Sequence, residues 1–259
     1  MEAIGLIASQ LEVCRSEGVD VLCCPEAVIG GLALESDHQA PADVALEVES
    51  GELAETLAPL MSTVVTLIVG FTERERSGRC FSSAAVIADG GLVHVHRKSY
   101  PGYRTVVRAG AELSTFTLGR SCCGVVICND LWYLEPARVL SSAGAVVLFV
   151  PSHSGHLRQG AAPSRLRARG ENLPVARAVE NTTSVVVADV AGSQGDRWAL
   201  GCSSIIDPDG VVLARSEPDG AALLIAEIES QRRPPDRRGW DGTTNQAVSD
   251  AFVALWRPT

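Results

Sequence analysis

Three residues that could act together in catalysis, Glu26, Lys98 and Cys128, each lie at the end of a predicted strand. Strand ends of an α/β fold can meet at one edge, so these side chains can converge there. A free cysteine has a pKa of about 8.5 and needs a base or a cation nearby to become a nucleophile near neutral pH. A carboxylate can accept the thiol proton, and an ammonium can stabilise the thiolate and the oxyanion that follows. These residue types are therefore suited to nucleophilic catalysis by a thiol.

Each of these residues also has a simpler interpretation. Most free cysteines are buried core side chains, and a glutamate is most often a solvated loop residue. No histidine stands in an obvious Cys–His pair, although His153 stays open as a partner for the cysteine. His94 and His96 share one strand face, and two histidines without further ligands are weak support for a metal site. We interpret them as a half-exposed strand face.

Apolar patterns around the three residues predict the elements that must position them. The glutamate follows the strand Val19–Cys24, which a proline ends. The lysine follows a hairpin of Ser82–Ala88 and Leu92–His96, whose Asp-Gly-Gly connection is a strong turn signal. The cysteine closes the strand Cys123–Cys128, and a helix over Glu135–Ser142 comes next. Strands alternate with helices and several pair as hairpins, which favours a layered α/β fold with one mixed sheet or two sheets.

Two later segments complete this prediction. An apolar strand leads into a loop over Pro151–His156, and Ala222–Ile228 is the last predicted strand. The polar tail from about residue 231 to residue 259 is predicted to be an arm or an oligomer contact. The chain is long enough for one substantial core, so we expect residues 1–259 to form a single domain.

Composition argues against several classes of partner. The net charge is 22 − 31 = −9 and no long basic run occurs, which argues against nucleic acid and anionic membranes. No apolar stretch reaches the roughly 18–20 residues of a membrane span, and the first residues lack the basic region of a signal peptide. The eight cysteines match neither a disulfide framework nor a zinc pattern. These features predict a cytoplasmic protein with reduced thiols.

Six short segments, spread over nearly the whole chain, form an ordered set of motifs. They are Val21-Leu-Cys-Cys-Pro-Glu26, His96-Arg-Lys98, Gly124-Val-Val-Ile-Cys-Asn-Asp130, Pro151-Ser152, Arg177-Ala-Val-Glu-Asn181 and Gly201-Cys-Ser-Ser204. In these segments the chain resembles the nitrilase superfamily of carbon–nitrogen hydrolases. The resemblance implies an α-β-β-α sandwich with two mixed β-sheets flanked by helices. The sandwich itself has four layers, and the resemblance also implies that two copies pair through a helical face into a homodimer with more layers, or into a larger homo-oligomer.

The resemblance implies a role for each member of the trio. Glu26 would be the general base, Cys128 the nucleophile, and Lys98 with the backbone N–H of Asn129 the oxyanion hole. The thiolate would attack an amide-type carbonyl, ammonia or an amine would leave, and water would hydrolyse the thioester. No metal or organic cofactor is implied. The implied partner is a small-molecule substrate.

The motif around the cysteine narrows the expected substrate. Cys-Asn-Asp resembles the amidase and N-carbamoyl amino acid hydrolase branches, so we expect a small linear amide or an N-carbamoyl compound. Trp132, Tyr103, His153 and Ser154 are candidates for lining the pocket, and the alternative for each is ordinary packing. These four residues and Asn129 complete the set of expected site residues.

The chain departs from the family pattern in two places. Members of the family have a strand before the first helix, whereas this chain begins at the helix. Either the native start lies upstream, which we expect, or the sheet lacks an edge strand. The family also commonly carries a second glutamate between the lysine and the cysteine, but the loop Ser99–Gly110 contains no acid. Tyr103 and Arg104 are candidates for that place, and for Arg104 an ordinary solvated loop arginine is the favoured interpretation. An alternative function follows, a catalytically impaired protein of this fold that binds a metabolite or a partner, and the intact trio argues against it.

Overall fold

The computed structural model describes residues 2–32, 41–61, 64–102, 104–157, 163–194, 197–217 and 220–231. The helices in these ranges are α1 (Glu2–Ser16), α2 (Pro41–Val44), α3 (Glu52–Leu57), α4 (Leu134–Ser142) and α5 (Pro163–Asn181), with 3₁₀ helices at Ala58–Leu60 and Cys128–Trp132. The first strands are β1 (Val21–Cys23), β2 (Thr66–Arg74), β3 (Cys80–Ala88), β4 (Gly91–Arg97), β5 (Phe116–Leu118) and β6 (Ser121–Val125). The later strands are β7 (Val147–Ser152), β8 (Gly155–Leu157), β9 (Ser184–Asp189), β10 (Ser193–Gln194), β11 (Arg197–Ala199), β12 (Ser204–Ile206) and β13 (Val212–Arg215).

These strands form two mixed sheets and one small sheet. The first sheet has the order β1-β2-β3-β4, in which β1 and β2 are parallel and the other pairs are antiparallel. The second has the order β13-β12-β9-β7-β6-β5, with parallel pairing among β6, β7 and β9 and antiparallel pairing at both sides. Strands β10, β11 and β8 form the small antiparallel sheet.

Three buried apolar clusters show how the layers stack. One cluster joins α1, α3 and the first sheet, and another joins α4, α5 and the second sheet. The third lies between the two sheets, where Ile68 and Val86 of the first meet Val125 and Phe149 of the second. The order of layers is therefore helix, sheet, sheet, helix, which confirms the predicted sandwich of two mixed sheets.

Strand β2 shows why both faces of a sheet are apolar here. Leu67, Val69 and Phe71 pack on the helical side, whereas the intervening Ile68 packs between the sheets. Alternate residues of a strand point to opposite faces, so a strand covered on both sides must be continuously apolar. This accounts for the unbroken hydrophobic runs in the sequence.

Two predicted segments differ in the structure. The predicted loop Pro151–His156 was wrong, because β7 continues through Ser152 and β8 begins at Gly155. The predicted strand Ala222–Ile228 was also wrong, because no sheet pairing is formed there. Leu223 and Ile228 instead pack against the apolar clusters, so their hydrophobicity serves packing rather than a strand ladder. The predicted arm beyond residue 231 lies outside the described residues.

Within the described ranges, no helix combines the length and the apolar composition that crossing a membrane requires.

Candidate active site

Glu26 lies in a turn that rests directly on the first sheet. Its backbone N–H donates to the carbonyl of Ser152, and Ala27 has the left-handed φ of +50°. Gly70 of β2 makes this close approach possible, since a Cβ there would lie 2.5 Å from the nitrogen of Ala27 and the carbonyl oxygen of Pro25. The carboxylate is only 1% exposed. The turn therefore places the buried carboxylate of Glu26 at the edge of the sandwich.

Lys98 meets this carboxylate from the end of β4. Its Nζ lies 2.6 Å from Oε1 of Glu26, and Ser82 Oγ donates to the same oxygen at 2.6 Å. The backbone N–H of Lys98 donates to the carbonyl of Ser82, so the strand pairing that places the serine also places the lysine. Ser82 was not among the predicted site residues; it lies on the strand that pairs with the one leading to Lys98.

The two buried charges hold each other in the ionised state. Burial raises the pKa of Glu26, but the charge of Lys98 and hydrogen bonds from Lys98, Ser82 and Cys128 outweigh it and the pKa is lowered overall. Burial lowers the pKa of Lys98, and the negative charges of Glu26, Cys128 and Asp130 outweigh that and raise it. At neutral pH the pair is therefore a carboxylate and an ammonium.

Cys128 completes the group from the second sheet. It opens the 3₁₀ helix after β6 with the left-handed φ of +45°, a conformation that is strained for a residue with a side chain. Its thiol donates a hydrogen bond to Glu26. Burial raises the pKa of this thiol to about 12, and the charge of Lys98 only partly offsets the burial. The resting sulfur is therefore a neutral thiol hydrogen-bonded to a carboxylate.

Asp130 ties the turn of Cys128 to the segment after Lys98. The side chain is fully buried. Its Oδ2 accepts the N–H groups of Ser99 and Ile127, both at 3.2 Å, and its Oδ1 accepts that of Tyr100 at 2.6 Å. Burial raises the pKa of Asp130 to about 6, against the lowering effect of Lys98 and these three donors. The sequence indicated Asp130 only as part of a motif, without a role.

Ser152 and His153 approach the cysteine from the end of β7. The Cys128 sulfur receives hydrogen bonds from the His153 backbone and the Ser152 side chain, each of which lowers its pKa. Ser154 lies one step further away, with its Oγ 3.2 Å from that of Ser152. Its backbone N–H donates to Asp189, whose carboxylate also accepts the N–H of Cys202. The predicted pair His153 and Ser154 is thus near the sulfur, and Ser152, which the sequence indicated only as part of a motif, is a further contact.

The other predicted site residues make contacts outside the trio or lie outside the described residues. Asn129 donates from Nδ2 to the carbonyl of Tyr100, so its side chain is used to fix the loop after Lys98. Trp132 is 43% exposed, and the guanidinium of Arg169 lies 5.0 Å from the centre of its ring. Tyr103 lies outside the described residues.

The loop after Lys98 leaves the sheet and returns to it. Gly110 donates its N–H to the carbonyl of Lys98, and a cavity of about 350 Å³ lies against the loop. Arg104, a predicted replacement for the missing acid, lines this cavity with Tyr100 and Arg108. A larger cavity of about 710 Å³ surrounds Arg97 and its glutamate partners, and neither Glu26 nor Cys128 lines it.

His94 and His96 lie inside the sandwich, and not on the half-exposed face predicted for them. His94 stacks on Phe116 of the second sheet, and His96 is 2% exposed. The face of β4 that carries them is covered by the opposite sheet, which hydrophobic patterning of a single strand does not reveal. Among the described residues, no group of three histidine, cysteine or carboxylate side chains is arranged to hold a metal ion.

Comparisons with known proteins bear on this arrangement. The sequence profile of the carbon–nitrogen hydrolase family matches residues 2–238. A nitrilase of Pyrococcus abyssi is 27% identical over 216 residues, which cover 82% of this chain and 78% of that protein. An N-carbamoylputrescine amidase of Solanum tuberosum is 26% identical over 206 residues, covering 74% and 68%.

A solved structure supports the same assignment at the level of the fold. The carbon–nitrogen hydrolase of Helicobacter pylori superposes with a TM-score of 0.85 at 22% identity, covering all of this chain and 94% of that one. The family match spans most of the sequence, and the shared fold spans all of it. The chain therefore belongs to the carbon–nitrogen hydrolase family, within the nitrilase superfamily.

Proposed function

We propose that this chain hydrolyses a small linear amide or N-carbamoyl compound through a thioester on Cys128. One observation carries the proposal: the carboxylate of Glu26 binds both the ammonium of Lys98 and the thiol of Cys128 in a buried site. A buried site that holds a base, a cation and a nucleophile contains the groups that acyl transfer to sulfur needs.

In the first half of the reaction Glu26 takes the thiol proton as sulfur attacks the carbonyl carbon. The carbonyl π electrons move to oxygen, and the oxyanion lies against Lys98 and the backbone N–H of Asn129. Since burial keeps the free thiol protonated, proton transfer accompanies attack rather than preceding it. The tetrahedral intermediate then collapses, the C–N bond breaks, and the proton on Glu26 passes to the departing nitrogen as ammonia or an amine leaves.

The second half uses the same groups with water in place of the thiol. Glu26, again a carboxylate, accepts a proton from a water molecule as the water oxygen attacks the thioester carbonyl carbon. Lys98 and the N–H of Asn129 stabilise the second oxyanion. The C–S bond then breaks, and the sulfur recovers its proton from Glu26 as the acid product leaves. The chain's own groups supply every step, so the proposed reaction uses no cofactor.

The named relatives support the choice of substrate class. The first is a nitrilase and the second an N-carbamoylputrescine amidase, so both act at carbon–nitrogen bonds. Near the sulfur lie the hydrogen-bonding groups of Ser154 and His153, and the half-exposed ring of Trp132 belongs to the same 3₁₀ helix as Cys128, a mixture suited to a small polar molecule.

The test is to trap the acyl group on the sulfur. The protein is incubated with a panel of amides and N-carbamoyl compounds, and intact-mass spectrometry and ammonia release are measured. We expect an adduct on the Cys128 peptide with at least one substrate and none in Cys128→Ala. Cys202→Ala is a matched control, because that thiol is also buried but packs against Gly170 of α5, and the Cys128 adduct should be unchanged in this variant. Absence of adduct and of ammonia across the panel would favour the alternative, a binding protein of this fold.

The proposal extends to the assembly. We propose a cytoplasmic homodimer or larger homo-oligomer in which residues 1–259 form one domain and the helical layer makes the contact. Helices α4 and α5 cover the second sheet and leave Leu134 and Val179 exposed by 47% and 41%. Sedimentation velocity at micromolar concentration checks this, and a monomer there would exclude it.

A further inference from the structure

We propose that Asp130 is a positioning residue that holds the ammonium of Lys98 in reach of the sulfur of Cys128. The inference rests on the proposed function, because it concerns two groups that must act on the same carbonyl. Those groups come from different sheets, with Lys98 following β4 and Cys128 following β6. Their separation therefore depends on whatever joins the two sheets at this edge.

The hydrogen bonds of Asp130 make that join. Its carboxylate accepts the N–H of Ile127, the residue before Cys128, and those of Ser99 and Tyr100, the two residues after Lys98. A hydrogen bond from Asn129 to the carbonyl of Tyr100 spans the same junction at 2.9 Å. These hydrogen bonds thus hold the backbone next to Lys98 and the backbone next to Cys128 to the same short segment.

The other backbone bonds of Lys98 lie within its own sheet region. The backbone N–H of Lys98 pairs with Ser82 and its carbonyl accepts the N–H of Gly110, so neither bond reaches the second sheet. A separate link between the sheets, from the N–H of Glu26 to the carbonyl of Ser152, holds the carboxylate and not the lysine backbone. The bonds made to the chain immediately after the lysine therefore act most directly on its distance from the sulfur.

The charge of Asp130 has a second consequence. Glu26 becomes neutral once it accepts the thiol proton, and at that moment Lys98 loses its ion-pair partner. Asp130 still places a negative charge near the ammonium, and this charge raises the pKa of Lys98. The ammonium therefore stays protonated while the oxyanion forms.

The ionisable groups around Asp130 come from every neighbouring element. Lys98 follows β4, Glu26 follows β1, and Cys128 lies on the same 3₁₀ helix. Tyr100 donates its backbone N–H, and Arg177 of α5 donates to the carbonyl of Leu131, the residue after Asp130. Lys98 is the cation whose charge acts on Asp130.

The first experiment requires no substrate. Alkylation of Cys128 by iodoacetamide is followed at pH 8 by mass spectrometry of its peptide, in native protein and in Asp130→Asn. We expect the substitution to slow alkylation by at least about fivefold, because an ammonium that is no longer held near the sulfur lowers the thiol pKa less. The same substitution is then made in Glu26→Gln/Lys98→Met, which removes the ion pair as a unit and leaves Asp130 with its three backbone N–H donors. There we expect a change of less than about twofold.

Two variants serve as controls. Asp207→Asn is the matched one, since Asp207 accepts the N–H groups of Asp209 and Val211 in an exposed turn, and it should leave alkylation unchanged. Asn129→Ala removes one bond of the same junction, and we expect it to slow alkylation in the same direction by a smaller factor. If Asp130→Asn does not fold by circular dichroism, Asn129→Ala decides the question.

The second experiment uses any substrate found by the adduct test. We expect Asp130→Asn to lower kcat by about 100-fold with KM within about threefold, and to move the alkaline limb of kcat to lower pH. Equal slowing of alkylation in both backgrounds, or no slowing in Asp130→Asn or Asn129→Ala, would overturn the inference. Failure to find any substrate would count against the proposed function alone, since the alkylation result stands without it.

Discussion

The carboxylate of Glu26 illustrates how a buried charge is kept in place by its neighbours. Burial alone would favour the neutral acid, and a single ion pair with two short hydrogen bonds reverses that preference. Removing one partner of a buried pair typically costs about 3–5 kcal/mol, because the other charge is left without compensation. The acid, the lysine and the thiol are therefore best regarded as one unit whose members depend on each other.

The variant Glu26→Gln tests the charge of this side chain without changing its size. Glu26→Gln keeps the size of the side chain but cannot accept the thiol proton, so we expect kcat to fall by about 10²–10⁴-fold with KM nearly unchanged. Steady-state kinetics on the substrate found by the adduct test measures this. Glu112→Gln is the matched control, since Glu112 is an exposed glutamate and should show native rates. Near-native turnover in Glu26→Gln would exclude this residue as the base.

At the scale of the elements, the site depends on places where two backbones come very close. The turn of Glu26 rests on Gly70 of β2, and the returning loop at Gly110 rests on Arg97, where a Cβ would lie 2.5 Å from the carbonyl oxygen. A side chain at either glycine would have to push backbone aside, which packed interiors tolerate poorly. The apolar pattern of β2 does not reveal which residue of that strand must lack a side chain.

Gly70 supplies the test at this scale. We expect Gly70→Ala to lower the free energy of unfolding by about 1–3 kcal/mol or more, since the added carbon would lie 2.5–2.7 Å from three backbone atoms of the Glu26 turn. The displaced turn should also reduce turnover in the protein that remains folded. Urea denaturation and kinetics measure the two effects. Gly91→Ala is the control, because nothing lies within 4 Å of its Cβ position, and equal stability of the two variants would contradict the argument.

At the scale of the whole molecule, the space between the two sheets is apolar except for a few polar groups. His96 is one of them, and burial lowers its pKa to about 3. Its Nε2 has no hydrogen-bond partner among the described residues. A histidine in this state is neutral in the folded protein, whereas the unfolded chain takes up a proton near pH 6.5.

The pH dependence of stability follows from this difference. Between pH 6.5 and 3 the unfolded state binds more protons, so stability present above pH 6.5 is lost as the pH falls. We expect native protein to lose about 2 kcal/mol more than His96→Met between pH 7.5 and 5.0 in urea denaturation. Comparing the two proteins cancels the contributions of Asp130 and Asp189, whose pKa values are raised. Parallel curves for the two proteins would contradict the assignment.

The sequence by itself determined the layered class of fold, the strand ends and the residue types placed there. Hydrophobic periodicity is a local property, so the hairpin of β3 and β4 and the positions of Glu26, Lys98 and Cys128 near strand ends could be predicted from it. The order of motifs then indicated the family, which the comparisons confirmed.

Tertiary structure alone decided which polar groups meet. Three features of the structure join residues that are far apart in the chain. They are the hydrogen bonds of Ser82 and Ser152 around the trio, those of Asp130 to the loop after Lys98, and the burial of His96 between the sheets. Such contacts depend on strand register and on how the two sheets stack, and neither can be predicted from the local pattern of apolar and polar residues. The same limit explains the error at 222–228, because an apolar stretch can pack on a cluster without joining a sheet.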